Sequence, residues 1–192
     1  MPTVPTEAVW RFTVGQYHEM IRLGILTEDD PVELLEGLII HKMPKNPLHR
    51  VANKLIRSAF EEIVPPGWYV DTQEPITLTD SEPEPDVAII RGQTRDYFER
   101  HPGSEDVVLV VEIANSTLER DRNYKQRIYA RAGIPIYWIV NLVERIIEIY
   151  TQPDNGEEAI YKQRQDYDLS MQIDVVIENY KFGSLNVRDL LP

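Results

Sequence analysis

Two short apolar segments, each with an acidic residue near one end, constrain the fold of this chain more than any other feature. The first covers residues 84–90 and contains Asp86, and the second covers residues 107–114 and contains Glu112. Runs so rich in Val, Leu and Ile are typical of strands that are buried on both faces of a sheet. A carboxylate on such a strand is costly to bury unless it is paired or binds a metal ion. We therefore expect the two carboxylates to converge, and converging oxygens of this kind suit Mg²⁺ or Mn²⁺ and hence phosphodiester chemistry.

The composition limits the classes of protein to which the chain can belong. Its 192 residues predict one domain over residues 1–192, in which residues 1–12 form an extended N-terminal arm. The absence of cysteine excludes disulfides, zinc thiolates and thiol nucleophiles. Residues 1–9 lack the basic and apolar regions of a signal peptide, and no apolar run approaches the ~20 residues of a membrane span. We therefore expect a cytoplasmic protein without membrane contact.

The net charge of −12 argues against a protein that coats nucleic acid electrostatically. It does not exclude a nuclease, because the charge is uneven and a bound metal ion is missing from the count. Basic residues gather on two predicted helices: Arg50, Lys54 and Arg57 on the first, and Arg120, Lys125, Arg127 and Arg131 on the second. Such stripes are usually solvated faces, and the alternative is that they meet phosphates.

Local signals predict a mixed order of helices and strands. A capping box at residues 13–16 starts a helix that Gly24 ends, residues 36–37 mark a hairpin turn, and residues 46–47 start a second helix with one apolar face. Strands are expected at about residues 68–72, 76–79, 87–90 and 107–113, a long helix at 117–132, a strand pair at 134–142 and 145–150, and short strands with a final helical turn in 160–192. This order predicts an α/β (α+β) fold in which a central mixed sheet is flanked by helices.

Three residues in and after the second apolar strand are candidates for chemistry. Glu112 is expected at the mouth of a central strand, where ligand sites cluster, and the structural alternative is a bond to a helix N-terminus. Ser116 fits the start of a capping box with Glu119 better than it fits a nucleophile. Lys125 stabilises a phosphate or the attacking water in one interpretation, and makes an exposed ion pair with Asp121 in the other.

Four motifs resemble those of a known family. They are Pro-Asp at residues 85–86, Val-Val-Glu-Ile-Ala-Asn-Ser-Thr at 110–117, Asp-Arg-x-x-Lys at 121–125, and Tyr-Ala-x-Ala-Gly-Ile-Pro-x-Tyr-Trp at 129–138. Together they resemble the Uma-type restriction endonuclease family, a bacterial branch of the PD-(D/E)xK nuclease superfamily. The resemblance covers residues 17–191, is most specific over residues 86–138, and includes Glu36-Gly37 and His49 in the family's layout.

The resemblance implies a restriction-endonuclease-like core with a metal site. Asp86 and Glu112 match the metal-binding carboxylates, and the backbone carbonyl of Ile113 matches a further ligand. Glu36 matches the acidic position that the superfamily often contributes from its N-terminal part. Gln73 is expected as a polar neighbour of the site.

The leading hypothesis is a Mg²⁺-dependent DNA endonuclease, with Mn²⁺ as a substitute. Asp86 and Glu112 hold the metal, which activates a water molecule and polarises the scissile phosphate. Lys125 assists the nucleophile or the developing charge, and Glu36 completes the metal shell or orients water. Cutting both strands of a duplex favours a homodimer, whose two-fold symmetry mirrors that of the DNA.

Two alternatives stay open. The superfamily's lysine lies two residues beyond the glutamate, where this chain has Ala114, so the lysine has either moved to the helix as Lys125 or is absent. An absent lysine, together with the charge of −12, favours a nuclease-fold module that binds nucleic acid or a protein without efficient cleavage. The last alternative is a glycosidase, for which the aromatic residues at 68–69 and 137–138 would be sugar platforms.

Overall fold

The computed structural model describes residues 9–27, 29–154, 156 and 158–192, so the first eight residues of the predicted N-terminal arm lie outside the described residues. The helices are α1 (Val14–Arg22), α2 (Pro47–Ile63), α3 (Leu118–Arg120), α4 (Gln126–Arg131) and α5 (Val187–Leu190), with a 3-10 turn at Thr94–Tyr97 and a π-helical segment at Asp121–Lys125. The strands are β1 (Val32–Leu35), β2 (Leu38–His41), β3 (Trp68–Asp71), β4 (Val87–Arg91), β5 (Val107–Ala114), β6 (Ile136–Asn141), β7 (Ile146–Asp154), β8 (Ile160–Tyr167), β9 (Gln172–Ile177) and β10 (Tyr180–Asn186).

A six-stranded mixed sheet forms the centre of the structure, in the order β3-β4-β5-β6-β7-β8. The strands β5 and β6 are parallel, and the other neighbouring pairs are antiparallel. Parallel neighbours need a crossover connection, which α3, the π segment and α4 provide. Two hairpins, β1-β2 and β9-β10, lie outside this sheet. The expected central mixed sheet flanked by helices is therefore confirmed.

Strand β5 lies between two hydrophobic clusters, one on each face of the sheet. Leu109 and Val111 pack in the cluster that contains α2 and α5, whereas Val110 and Ala114 pack in the cluster that contains α4. Every residue of β5 is buried, which explains why its sequence is continuously apolar instead of alternating. Because side chains alternate along a strand, Glu112 lies on the α4 face.

Local signals set the starts of the first two helices as expected. The hydroxyl of Thr13 accepts a hydrogen bond from the N–H of Gln16, and the Gln16 side chain accepts one from the N–H of Thr13. The side chain of Asn46 caps α2, which has Pro47 in its first turn. None of the helices within the described ranges is both long and apolar enough to cross a membrane.

The strand that was expected at residues 76–79 does not form. The backbone N–H groups of this segment bond to a neighbouring loop, Ile76 to the carbonyl of Pro83 and Leu78 to that of Ser81. Thr77 donates to the carbonyl of Pro102 and forms one isolated bridge with Gly103, so the segment does not join the central sheet.

The helix that was expected at residues 117–132 is divided, and it lacks the predicted capping box. The π segment separates α3 from α4. Ser116 is exposed, and the residue before α3 is Thr117, whose hydroxyl donates to the carboxylate of Asp121 at 2.6 Å. The Thr117 hydroxyl thus supports a carboxylate in the next turn in place of capping the helix.

The turn between β1 and β2 holds this hairpin against the rest of the chain. Glu36 and Gly37 have φ values of 48° and 75°, as a type I′ hairpin turn requires. The carbonyl of Gly37 accepts from the N–H of Phe12, and its N–H donates to the carbonyl of Asp80, both at 2.8 Å. A Cβ atom on Gly37 would lie 2.7 Å from the Cβ of Arg11 and 2.9 Å from the carbonyl oxygen of Phe12. Both the backbone conformation and the close approach therefore require glycine.

We expect Gly37→Ala to destabilise the protein more than Gly133→Ala does. Gly133 has nearly the same φ, 74°, but no atom lies within 4 Å of an added Cβ, so its variant measures the cost of positive φ alone, about 1 kcal/mol. The clash at Gly37 adds to this cost, and we expect a total loss of about 2–4 kcal/mol in the free energy of unfolding. Urea denaturation followed by circular dichroism measures both values. Equal losses would contradict the close packing of the hairpin turn.

Candidate metal centre

Asp86 and Glu112 meet at one end of the two central strands. Strand β4 begins at Val87, which pairs with Val111 of β5, so the antiparallel register places Asp86 beside Glu112. The backbone N–H of Ile113 donates to Oδ2 of Asp86 at 2.9 Å. Both carboxylates line one cavity of about 410 Å³, and only 7% of Asp86 and 5% of Glu112 is exposed.

Lys125 lies in the same buried cluster. Its Nζ is 2.8 Å from Oε1 of Glu112 and 3.2 Å from Oε2 of Glu33. The hydroxyl of Tyr129 donates to the same oxygen of Glu112 at 2.6 Å. Lys125 is only 3% exposed, which excludes the exposed ion pair with Asp121. An ammonium has three donors, so these two carboxylate contacts leave one donor for another partner.

The cluster holds more negative than positive charge. Glu33, Asp86, Glu112 and Asp121 are all buried and line the cavity together with Lys125. Burial raises the pKa of Glu112 to about 8 against the lowering effect of Lys125, and the neighbouring acids raise it further. Burial also raises the pKa of Asp121 to about 6. Burial alone would lower the pKa of Lys125, but the charges of Glu112, Glu33 and Asp121 raise it above its ordinary value, so the lysine stays protonated.

Two polar residues flank Asp86. Nε2 of His49 is 3.0 Å from Oδ2 of Asp86, whereas its Nδ1 is buried without a hydrogen-bond partner among the described residues. Gln73, which the sequence predicted as a neighbour, lines the cavity. The backbone N–H of Gln73 donates to the carbonyl of Pro85 at 3.0 Å and so helps to fix the chain immediately before Asp86.

The π segment brings Asp121 and Lys125 into the cavity. Its wider turn shifts the residues that follow it relative to their positions in an α-helix. Between them, Arg122 binds Glu148 of β7 through Nε at 3.1 Å and Nη2 at 2.6 Å. Glu148 is fully buried and also accepts from the hydroxyl of Tyr150. This ion pair anchors the segment to the sheet and so helps to position Lys125.

The structure does not bring Glu36 into this cavity. Its carboxylate accepts two hydrogen bonds from Arg127, at 3.0 and 2.7 Å, and one from Arg131 at 2.9 Å. Burial would raise the pKa of Glu36, but these arginines lower it below its ordinary value. The prediction that Glu36 contacts the metal shell is therefore corrected. Its carboxylate is occupied by hydrogen bonds from Arg127 and Arg131, which join the β1-β2 hairpin to α4.

Glu33 takes the place in the cavity that the sequence assigned to Glu36. It is 1% exposed, and its Oε2 lies 3.2 Å from Nζ of Lys125 and 3.4 Å from the backbone nitrogen of Glu84. Sequence reasoning missed this residue, although a signal was present. Glu33 is an acid inside a short apolar strand, which is the same pattern that identified Glu112.

The oxygen donors of the cavity fit a hard divalent cation. Oδ1 of Asp86 and Oε2 of Glu112 accept no hydrogen bond from the described residues, because the contacts of these side chains go to their other oxygens. Within the described ranges, no group of three His, Cys, Asp or Glu side chains forms a metal cage. Mg²⁺ is usually held by one or two carboxylates together with water molecules. Ile113 lines the same cavity, and its carbonyl stays a predicted ligand.

The sequence and the fold of this chain resemble those of known proteins. A family model described as "Uma2: Putative restriction endonuclease" matches residues 14–178. A solved structure from Anabaena variabilis, described as a "putative nuclease belonging to DUF820", has a similar fold, with a TM-score of 0.62 and 17% sequence identity. The match covers 88% of this chain and 94% of that chain, and at this identity it concerns the fold alone. A comparison with curated proteins finds no match.

We expect the stability of the metal-free protein to fall as the pH rises from about 5 to about 8. The pKa of Glu112 is about 8 in the folded chain, against an ordinary value of 4.5. Between these values the folded state binds the proton more strongly than the unfolded state, so a rise in pH favours unfolding by at most about 1.4 kcal/mol per pH unit. Asp121, with a pKa of about 6, acts with the same sign over the lower part of this range.

Glu112→Gln tests this assignment. The variant should keep the fall in stability that Asp121 causes below about pH 6 and lose the fall that Glu112 causes, which Asp121 does not share in the range from about pH 6 to 8. Urea unfolding in EDTA at a series of pH values measures both proteins. The difference between the two curves isolates Glu112, because the two proteins share every other titratable group. Parallel curves above pH 6 would show that Glu112 is already ionised there.

Proposed function

The chain belongs to the Uma2 family, and on that premise we propose that it is a nuclease that cleaves DNA with a bound Mg²⁺ ion. The observation that supports the proposal is that Asp86, Glu112 and Lys125 are buried together in one cavity, at the edge of the sheet where β4 begins and β5 ends. Mn²⁺, which also prefers oxygen ligands, is the expected substitute. A duplex substrate favours a homodimer whose two-fold axis coincides with that of the DNA.

The residues of the cavity divide the work between them. When bound, Mg²⁺ would lower the pKa of a water molecule and polarise the scissile phosphate. Asp86 and Glu112 would hold the ion. The N–H of Ile113 orients Asp86, while Lys125 and Tyr129 hold Glu112. The third donor of Lys125 is left for the attacking water or for charge that develops on the phosphate.

The position of Lys125 favours cleavage over the binding-only alternative. Ala114 lies two positions after Glu112, on the same face of β5, and is fully buried in the hydrophobic cluster there. Lys125 reaches Glu112 from the crossover and so supplies an ammonium that this strand lacks. The charge of −12 still favours the binding-only alternative. A titration with Mg²⁺ separates the two functions, because cleavage requires the ion whereas a binding module need not.

The glycosidase alternative has little support in the structure. Tyr137 is 0% exposed and Trp138 is 2% exposed. Each packs in one of the two hydrophobic clusters on either side of the sheet. Buried aromatic rings of this kind cannot serve as platforms for a sugar. Trp68 and Tyr69 are partly buried against the same two clusters and do not line the cavity of the carboxylates.

We expect DNA cleavage that depends on Mg²⁺ or Mn²⁺ and is abolished in Asp86→Ala and Glu112→Ala. The carboxylates would fix the ion, whereas Lys125 supplies one electrostatic contact, so Lys125→Ala should reduce the rate by about 10²–10³. EDTA should silence the wild type, and Ca²⁺ should support binding with little turnover, because its coordination is looser. Gel assays on supercoiled plasmid measure nicking and cleavage together.

The matched control for the carboxylate variants is Asp174→Ala. Asp174 is exposed and pairs with Lys181 in the β9-β10 hairpin, so its loss should leave cleavage unchanged. Activity that persists in Asp86→Ala would indicate a contaminating nuclease. Absence of cleavage of duplex DNA, single-stranded DNA and RNA by the wild type, with either metal, would favour the binding-only module.

A second prediction separates Glu33 from Glu36. Glu33→Gln removes a charge beside Lys125, and we expect a loss of cleavage of about 10–100-fold, as for other residues that support metal ligands. Glu36→Gln should keep cleavage close to the wild-type rate but lower the free energy of unfolding by about 1–2 kcal/mol, because it weakens charged hydrogen bonds to half-exposed arginines. Cleavage rates and urea denaturation measure the pair. The reverse pattern would restore the sequence-based assignment of Glu36.

A further inference from the structure

The cationic side chains that line the cavity differ in their partners. Lys125 is held by two carboxylates, Lys42 pairs with Glu84 at 2.7 Å, and Lys45 is exposed to solvent. Arg120 also lines the cavity, but its side chain makes no ion pair or hydrogen bond with any described residue. Its Nε is nevertheless buried. The cavity thus contains a guanidinium that has lost water at one donor without gaining a protein acceptor.

This state is unusual for the arginines of this chain. Arg50, Arg95 and Arg188 also lack both an ion pair and a side-chain hydrogen bond among the described residues, but all three are exposed, so water can satisfy their donors. Arg120 is half-buried. A buried donor without an acceptor lowers stability, and in native proteins it calls for a specific explanation. A bound anion at the cavity would supply the missing acceptor.

We propose that Arg120 binds a non-bridging oxygen of the phosphodiester that is to be cut, an inference that rests on the proposed nuclease function. The planar guanidinium offers several donors in a fixed fork that matches the oxygens of a phosphate. Arg120 directly precedes Asp121 in the chain and lines the same cavity as Asp86 and Glu112. Its side chain therefore borders the cavity in which the two carboxylates would hold the metal ion.

The burial of the two cations explains why Arg120, more than Lys125, would bind the substrate before the chemical step. Lys125 is 3% exposed and contacts Glu112 and Glu33, so the carboxylates of the cluster largely neutralise its charge. Arg120 is partly accessible and has its charge free. We therefore assign substrate binding to Arg120 and support of the carboxylates to Lys125. The loss of Arg120 should weaken DNA binding, whereas the loss of Lys125 should mainly slow the chemical step.

The test measures DNA binding in Ca²⁺, which should hold the complex with little turnover, at a series of salt concentrations. Arg120→Ala should weaken binding of a labelled duplex by about 10–100-fold, as expected for a charged hydrogen bond. It should also reduce the slope of log K against log [salt] by about 0.9, the value of one phosphate contact on duplex DNA. Arg120→Lys should keep the slope and recover only part of the affinity, because it retains the charge but loses the fork.

Arg95→Ala is the matched control, because it removes the same charge from an exposed arginine that does not line the cavity. It should leave affinity and slope unchanged. The affinity for Mn²⁺, measured by calorimetry, should be the same in Arg120→Ala and the wild type, and thermal unfolding should show no loss of stability, since an unpartnered donor is removed.

The outcomes separate the inference from the proposed function. A wild type that cleaves DNA, with an Arg120→Ala slope equal to that of Arg95→Ala, would overturn the inference alone. A loss of Mn²⁺ affinity in Arg120→Ala would also overturn it, since the residue would then act on the metal site. A wild type that neither binds nor cleaves any nucleic acid would overturn the proposed function and this inference together.

Discussion

The contact between the Lys125 ammonium and the Glu112 carboxylate is the interaction on which the rest of the site depends. Glu112 belongs to a strand in which every residue is buried, and an isolated charge there would cost several kcal/mol. Lys125 comes from the π segment, Glu33 approaches from β1, and Tyr129 donates from α4. The acids repel one another and Lys125 is the cation that offsets them, so β1, β5, the π segment and α4 must assemble together before the cavity exists.

The β1-β2 hairpin presents two acids that have opposite roles. Glu33 lies inside the cavity against Lys125, whereas Glu36 lies outside it against Arg127 and Arg131. The ion pairs of Glu36 with Arg127 and Arg131 hold the hairpin on α4. They thereby fix the position from which Glu33 contacts Lys125. The two acids are only three residues apart, and the turn that reverses the chain at Glu36 sends the second one to a different side of the helix.

The core of the fold and the two central carboxylates could be predicted from the cost of burying charge in apolar strands, and the antiparallel register of β4 and β5 explains why Asp86 and Glu112 meet. The choice between Glu33 and Glu36 could not be made in this way, because both are acids beside apolar residues and only the tertiary partners distinguish them. The π segment was also beyond prediction, since its sequence is compatible with a regular helix. The unpaired state of Arg120 could not be predicted either, because the absence of a hydrogen-bond partner leaves no pattern in the sequence.

The π segment has a consequence for the way in which this chain can vary. An α-helix turns by about 100° per residue, so the loss of one residue between β5 and α4 would rotate the two sides of the crossover against each other by roughly that angle. For a loss between Arg122 and Lys125, Arg122 could keep Glu148, or Lys125, Arg127 and Arg131 could keep Glu112 and Glu36, but both sets of partners could not be satisfied at once. Substitutions within the segment are easier to accommodate than a change in its length. The number of residues in this crossover is therefore under stronger constraint than the identity of many of them.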